Sequence, residues 1–250
     1  MPPRLLFIYA HPDDESFGVA GTARMHADRG ADIALVTATR GDAGRAGEPA
    51  ICSREELPAR REAELNEAAK ILGIGHVTVL DYLDKHLAEA PSDTIRRELV
   101  HAIRGHRPHV VVTFDPDGVN QHPDHVAISR FTIDAITAAA DPRWYPDTGD
   151  AYVVPRLLWT TPVLPWDAPK SPDLAKEPGV DFLIDISKYR DTKAAALRAH
   201  RTQNVSIDRH FFHLPDLDAI LSVETFRQAF GPPLSKRPAD DIFDAMPPVY

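Results

Sequence analysis

The stretch LLFIYA (residues 5–10), followed at once by HPDDE (residues 11–15), decides the fold. Six consecutive apolar residues predict a short strand that is buried on both faces of a sheet. The next five residues carry three acids and a proline, so the strand must end there. A charged turn directly after a buried strand is typical of functional sites in parallel α/β proteins.

The same arrangement recurs a hundred residues later. VVVTF (110–114) is a second buried strand, and HPDH (122–125) follows it and opens a helix. Further strands are predicted at 33–38, 77–80 and 153–161, and helices at 17–29, 58–72, 93–106, 123–140, 187–202 and 222–230. This alternation predicts a Rossmann-like three-layer α/β sandwich with a mostly parallel sheet.

Composition places the chain among ordinary globular proteins. Of its 250 residues, 43% are hydrophobic and 26% are charged, which is close to the average for soluble domains. No apolar run approaches the roughly 18 residues of a membrane span. We expect a single domain over residues 1–250, in which the proline-rich segment 141–181 forms a lid or wraps the core.

Charge and cysteine content narrow the class of partner. The net charge of −9 disfavours nonspecific binding to nucleic acid. The single Cys52 excludes an intramolecular disulfide and fits a cytoplasmic protein. The sequence leaves a monomer and a homo-oligomer both open.

The two charged turns are predicted to meet. In the common strand order 3-2-1-4-5, strands 1 and 4 are neighbours where the winding reverses, and ligands bind at their carboxyl ends. The turns then share seven metal-binding or titratable side chains: His11, Asp13, Asp14, Glu15, His122, Asp124 and His125. Such ligands suit Zn²⁺, and also Fe²⁺ or Mn²⁺. Either turn alone could merely place acids at a helix start, but their coincidence favours a metal site.

These residues resemble the LmbE-like (PIG-L) family of zinc-dependent N-acetylglucosaminide deacetylases. Beside the two histidine motifs, TRGDAG (39–44) is similar to a family loop, with Asp42 in place of glutamate. REAEL (61–65) fits the family's Arg-x-x-Glu helix. Lys193, Ala196, His200 and Gln203 fit its C-terminal pattern, with Thr202 in place of serine. The similarity runs in order from residue 5 to about 204.

The resemblance implies a role for each residue of the two motifs. Three of them would bind the metal: His11, Asp14 and His125. Asp13 would act as the general base on water. His122 would stabilise the tetrahedral intermediate and protonate the leaving amine, and Asp124 would orient and charge His122.

Five further residues are candidates for binding substrate: Arg61, Asp42, Arg40, Asn120 and His200. An arginine within the apolar stripe of a helix needs a partner, which would be a substrate oxygen or else an ion pair with Glu64 or Asp42. Arg40 and Asp42 either contact a sugar or only hold their loop, and His200 either reaches the site or only packs. Asn120 stands where some family members have a tyrosine.

We therefore predict a zinc-dependent hydrolase that removes an acetyl or other N-acyl group from an amino sugar or glycoconjugate. A metal-dependent amidase acting on another small molecule is the closest alternative. A noncatalytic sugar-binding protein is disfavoured, because metal binding alone would need neither Asp13 nor His122. A dinucleotide cofactor is disfavoured by the lack of a Gly-x-Gly-x-x-Gly motif.

Overall fold

The computed structural model describes residues 2–246, which build one seven-stranded sheet. Its strands are β1 (Arg4–Tyr9), β2 (Asp32–Thr39), β3 (His76–Tyr82), β4 (Val110–Phe114), β5 (Arg156–Thr160), β6 (Phe182–Asp185) and β7 (Val223–Phe230). The strand order is β3-β2-β1-β4-β5-β7-β6. Strands β1 to β5 are parallel, and only β7 runs antiparallel to its neighbours. This confirms the mostly parallel sheet and the adjacency of β1 and β4.

Helices cover both faces of the sheet. They are α1 (Asp14–Gly18), α2 (Ala20–Asp28), α3 (Leu57–Leu72), α4 (Ser92–His106), α5 (Gly118–Gln121), α6 (Pro123–Ala139), α7 (Arg190–Ala199), α8 (Asn204–Ile207) and α9 (Leu217–Ile220). α2, α3 and α7 pack together on one face, and α4 packs with α6 on the other. The three-layer sandwich is therefore confirmed.

The core follows from the apolar strands named above. Residues 5–10 are fully or almost fully buried, as are Val110, Val111 and Val112. They pair in register across the centre of the sheet, with Leu6 opposite Val111. Burial on both faces explains why neither strand shows an alternating pattern.

The prediction of a helix at 222–230 is wrong, because this segment is strand β7. Its middle residues Glu224, Thr225 and Phe226 are all buried, so the polar–apolar alternation that identifies a strand is missing. Glu224 is buried because its carboxylate binds the ammonium of Lys193 at 2.7 Å and accepts the backbone N–H groups of Gly21 and Thr22.

The proline-rich segment 141–181 contains β5 and several short turns of 3-10 helix. Four residues shortly after β5 line the cavity described below: Thr161, Leu164, Pro165 and Trp166. No helix among residues 2–246 is both long and apolar enough to cross a membrane.

Candidate active site

The turn after β1 brings two acids under the end of the strand. The Asp14 carboxylate accepts the backbone N–H groups of Ala10 at 3.2 Å and His11 at 2.8 Å, which fixes it beneath its own loop. Asp13 adopts a positive φ of 119°. Such a backbone is costly for a residue other than glycine and is found where the surrounding structure imposes it.

Three side chains from the two turns converge on one point. His11 Nδ1 lies 3.2 Å from His125 Nε2 and 3.7 Å from Asp14 Oδ2, and His125 Nε2 lies 3.4 Å from Asp14 Oδ1. Each residue is less than a tenth exposed. Two ligands of a tetrahedral ion, each about 2.0–2.1 Å from it, are about 3.4 Å apart. The spacing of these donors therefore fits a divalent metal ion.

The far side of each imidazole is held in a way that suits a metal ligand. His125 Nδ1 binds the carbonyl of Gly118 at 3.1 Å. His11 Nε2 lies 3.1 Å from Asp124 Oδ2 and 3.1 Å from Asp84 Oδ1. Carbonyl and carboxylate partners of this kind orient the ring and direct its other nitrogen to the metal.

The electrostatics of the two rings differ. Burial alone would lower the pKa of His11, but hydrogen bonds to Asp124 and Asp84 raise it to about 10. Burial lowers the pKa of His125 to about 3, and charge on His11 and His122 adds to this. The carboxylates behind His11 thus favour positive charge at the centre of the cluster, while His125 offers a neutral nitrogen.

The Asp124 carboxylate was predicted to orient and charge His122; its charge does raise the pKa of His122, but its hydrogen bonds go to other groups. Its buried carboxylate binds His11 and accepts the backbone N–H groups of Lys85 at 2.6 Å and Leu87 at 3.1 Å. Pro123 separates the two residues in sequence, and a carboxylate oxygen of Asp124 lies within 4.8 Å of a His122 nitrogen without a hydrogen bond between them. Asp124 contacts His122 through its backbone N–H, which donates to His122 Nδ1 at 3.2 Å.

His122 is the N-cap of α6, because its Nδ1 accepts that N–H. In the neutral ring the proton then resides on Nε2. Burial lowers the pKa of His122, and the charge of His11 contributes. Its ring centroid lies 4.9 Å from those of His11 and His125, and one of its nitrogens lies within 4.8 Å of a nitrogen of each.

Arg61 is buried, as its place in the apolar stripe of α3 predicts, but its partners differ from those expected. The guanidinium donates to the carbonyls of Pro12 and Gly41 and lies 3.3 Å from Asp13 Oδ2. A Cβ at Gly41 would lie 1.8 Å from Arg61 Nη1, so only glycine allows this approach. Neither Glu64 nor Asp42 is its ion-pair partner. Arg61 instead connects two loops and holds Asp13.

The contacts of Asp13 set its charge. Burial raises the pKa of Asp13 to about 6, the charge of Asp14 acts in the same direction, and the Arg61 guanidinium opposes the rise. A carboxyl group whose pKa lies near neutrality is suited to exchange a proton during a reaction.

His200 lies behind the site and outside the residues that line its cavity. It is fully buried and forms an ion pair with Glu15, at 2.7 Å between Nε2 and Oε1. The other Glu15 oxygen accepts the backbone N–H of Asp13 at 3.1 Å. The C-terminal half thus supports Asp13 from below, which is the packing alternative for His200.

Arg40, Asp42 and Asn120 have different surroundings. Arg40 forms exposed ion pairs with Glu62 and Asp81. Asp42 Oδ1 accepts the backbone N–H of Asp84 at 3.1 Å. Neither lines the cavity, whereas Asn120 does.

Sequence reasoning missed Asp84 and Lys85. Asp84 is buried against His11, and both residues line the cavity. Burial by itself raises the pKa of Asp84, but the hydrogen bond and charge of His11 lower it to about 2. The sequence did contain a signal for Asp84. It is an acidic residue two positions after β3, and the carboxyl end of β3 lies at the same edge of the sheet as the two motifs.

A cavity of about 320 Å³ opens over the cluster. One end holds His11, Asp13, Asp14, His122 and His125. Residues after β5 and around α8 form the other end and include Leu164, Pro165, Trp166, Gln203, Ser206 and His210. The volume suffices for a small molecule or part of a larger one.

Comparison with known proteins places this architecture. The family model described as PIG-L, GlcNAc-PI de-N-acetylase, matches residues 6–136. The chain belongs to the PIG-L family. The resemblance seen in the motifs is therefore confirmed, and the match contains both histidine motifs.

Similar proteins of known sequence or structure include two that carry deacetylase names. The 1D-myo-inositol 2-acetamido-2-deoxy-alpha-D-glucopyranoside deacetylase of Rhodococcus jostii is 34% identical over 238 residues, covering 80% of this chain and 81% of the relative. The N,N'-diacetylchitobiose deacetylase of Pyrococcus horikoshii shares the fold, with a TM-score of 0.70, 23% identity, and coverage of 90% and 83%. A conserved protein of Thermus thermophilus also has this fold, with a TM-score of 0.69, 27% identity, and coverage of 91% and 95%.

Proposed function

We propose that this PIG-L family chain is a zinc-dependent hydrolase that removes an N-acetyl group from an amino sugar or its conjugate. The observation that carries the proposal is the convergence of His11 Nδ1, His125 Nε2 and the Asp14 carboxylate beside Asp13. The name of the Rhodococcus relative, which specifies an acetamido sugar, supports this class of substrate.

The donor set supports zinc, because two imidazoles and one carboxylate leave a fourth tetrahedral position free. Fe²⁺ and Mn²⁺ accept the same donors. Zinc held there would supply Lewis-acid activation of water and of the amide carbonyl. The remaining steps fall to the side chains around it.

Asp13 accepts a proton from the attacking water, and its position is fixed by Arg61 and by the Glu15 carboxylate beneath its backbone N–H. His122 donates an Nε2–H hydrogen bond to the developing oxyanion, and the proton that Asp13 has taken from water passes to the leaving amine. Asp124 acts through His11, which it orients, while Asn120 lies at the rim of the cavity to contact the sugar. A cytoplasmic site of action is proposed from the single cysteine.

The proposal is tested by metal analysis combined with acetate release. The purified protein should contain about one zinc per chain and release acetate from N-acetylglucosamine conjugates. His125→Ala should lose metal and activity together, whereas His101→Ala, an exposed histidine on α4, should lose neither. Full zinc and normal turnover in His125→Ala would contradict the site assignment.

An alternative amidase would use the same residues on another substrate. It would show zinc and His125-dependent hydrolysis of simple amides, with no activity on amino sugars. A noncatalytic sugar-binding protein would bind the sugar and release no acetate.

A further inference from the structure

The cavity has an apolar end that the proposed reaction does not use. It begins beside the metal-binding cluster and extends to a wall of mostly apolar side chains: Phe17, Leu164, Pro165, Trp166 and His210. We call these five residues the apolar wall. Four of them lie outside residues 6–136, the range matched by the family model.

The rings of the apolar wall pack against one another and against a small core behind them. The rings of Trp166 and His210 lie 4.5 Å apart between centroids, and Phe17 meets Trp166 edge-on at 6.4 Å. Phe17 also packs edge-on against the fully buried Phe211, at 5.0 Å. Phe211 belongs to a small core with Leu197, Ile207, Ile220 and Leu221. The aromatic rings are therefore held from behind, while Phe17, Leu164 and Trp166 remain only half-buried.

Two polar groups near this wall, the His210 Nδ1 atom and the Gln203 amide nitrogen, are engaged by the protein itself. His210 Nδ1 lies 2.8 Å from the carbonyl of Ser206 and 3.3 Å from its hydroxyl. The Gln203 amide donates to the carbonyl of Arg45 and to Thr202 Oγ1. A polyhydroxylated group would lose water against the carbon atoms of Phe17, Leu164 and Pro165, which offer no side-chain hydrogen bonds in exchange. An apolar ring would instead gain by leaving water.

We infer that the apolar wall is a subsite for an aromatic or apolar ring attached to the amino sugar, on the sugar side of the scissile amide. The inference rests on the proposed function, which places the amide at His11, His122 and His125. The inferred substrate of this chain is an N-acetyl amino sugar with an apolar aglycone.

Steady-state kinetics of the zinc-loaded enzyme on two glycosides tests this directly. The phenyl glycoside of N-acetylglucosamine should have a KM about tenfold lower than the methyl glycoside, from burial of part of the ring. Trp166→Ala should bring the ratio of the two KM values close to one. Leu164→Asn, a half-buried loop position, should lower the ratio too and covers the case in which Trp166→Ala fails to fold.

Trp144→Ala is the matched control, because Trp144 is exposed, packs over Arg96 and lies away from the cavity. It should retain the full preference. Equal KM values for both glycosides in the wild type would overturn the inference. A preference that follows the length of the N-acyl chain would also overturn it, because the wall would then lie on the acyl side.

Calorimetric binding of the product analogue phenyl glucosaminide separates this inference from the proposed function. Trp166-dependent binding without any acetate release would leave the subsite standing and refute the deacetylase. Acetate release together with Trp166-independent binding would refute the subsite and leave the deacetylase standing.

Discussion

The two ends of the cavity are held by different interactions, hydrogen bonds and ion pairs at one end and apolar packing at the other. We call the end of the cavity that holds His11, Asp14 and His125 the metal end. Here each charged side chain has a partner that fixes it. Asp14 binds backbone N–H groups, His11 binds two carboxylates, and Asp13 binds Arg61. At the other end, Phe17 and Trp166 are held only by packing. Directional contacts fix the geometry that a reaction needs, whereas packing selects by shape and polarity. We therefore assign the reaction to the first region and the choice of substrate to the second.

The largest effect on the reaction should come from the metal end. Asp13→Asn keeps the size of the side chain but cannot take a proton, so kcat should fall by roughly 10²–10⁴. Zinc content should stay near one per chain. Asp42→Asn, whose side chain holds a neighbouring loop, should keep most of its activity. A rate near wild type in Asp13→Asn would remove the general base from the mechanism.

The two ends of the cavity can serve separate roles only if the protein holds them rigidly relative to each other. The buried Lys193–Glu224 ion pair contributes to this rigidity, because it joins α7 to β7. Both side chains are fully buried, with 2.7 Å between Nζ and Oε1. Lys193→Met should destabilise the protein by about 3–5 kcal/mol, because it leaves a buried carboxylate unpaired. Urea unfolding measures this loss.

The double variant Lys193→Met/Glu224→Leu tests the cause of that loss. It removes both charges and should recover part of the stability, although the N–H groups of Gly21 and Thr22 then lose their acceptor. A single variant as stable as the wild type would contradict the prediction.

Substitution of Arg61 tests whether this residue contributes to catalysis or to substrate binding. Its guanidinium contacts Asp13 and two loop carbonyls, so Arg61→Ala should displace the base. Hydrogen bonds to charged groups contribute about 1.5–3 kcal/mol, and kcat should therefore fall by about 10- to 100-fold. The loss should be similar for an N-acetyl sugar and for a small acetamide.

A sugar-specific rise in KM, with the acetamide unaffected, would support the substrate-binding role that the sequence suggested for Arg61, which lines the cavity. Arg61→Lys is the conservative comparison. It keeps the charge near Asp13 but cannot reproduce the two-loop contact of the planar guanidinium, so its rate should lie between those of the wild type and Arg61→Ala.

Much of this organisation could be predicted from the sequence. Two apolar strands, one ending in a histidine motif and the other followed by one a few residues later, implied neighbours in a parallel sheet. The structure places the side chains of His11, Asp14 and His125 together. The metal-binding role itself remains a prediction for the metal analysis to test. The pattern of strands and helices predicts the sheet topology, and that topology makes β1 and β4 neighbours.

The errors came from contacts that no pattern records. Arg61 binds backbone carbonyls, and every residue has one, so its partners could not be read from spacing. The Asp124 carboxylate faces His11 after β1 because of the orientation of the first turn of α6, and the sequence pattern does not reveal that orientation. β7 was mistaken for a helix because burial of Glu224 depends on Lys193, a partner 31 positions away.

His200 should affect the rate less than Arg61 does, because it reaches Asp13 only through Glu15. His200→Gln removes the positive partner of Glu15, and we expect kcat to fall about tenfold, the equivalent of one weakened charged hydrogen bond. KM should change little, because His200 lies outside the cavity. A rise in KM without a change in kcat would instead make His200 a substrate contact. A thermal melt identifies a loss caused by unfolding.

The smallest effect is expected at Arg40, which lies close to the metal end in sequence but outside the cavity. It pairs with Glu62 at 2.8 Å and with Asp81, both at the surface. Exposed pairs of this kind contribute about 0–1 kcal/mol, because solvent screens them. Arg40→Ala should therefore keep kcat and KM within about twofold of wild type, and its melting temperature should fall by only a few degrees. The same variant tests how far the substrate site extends beyond the metal end. A several-fold rise in KM for the sugar alone would show that the substrate reaches across the rim to Arg40. The division between a metal end and an apolar end would then be incomplete, with a third, charged contact beyond Gly41.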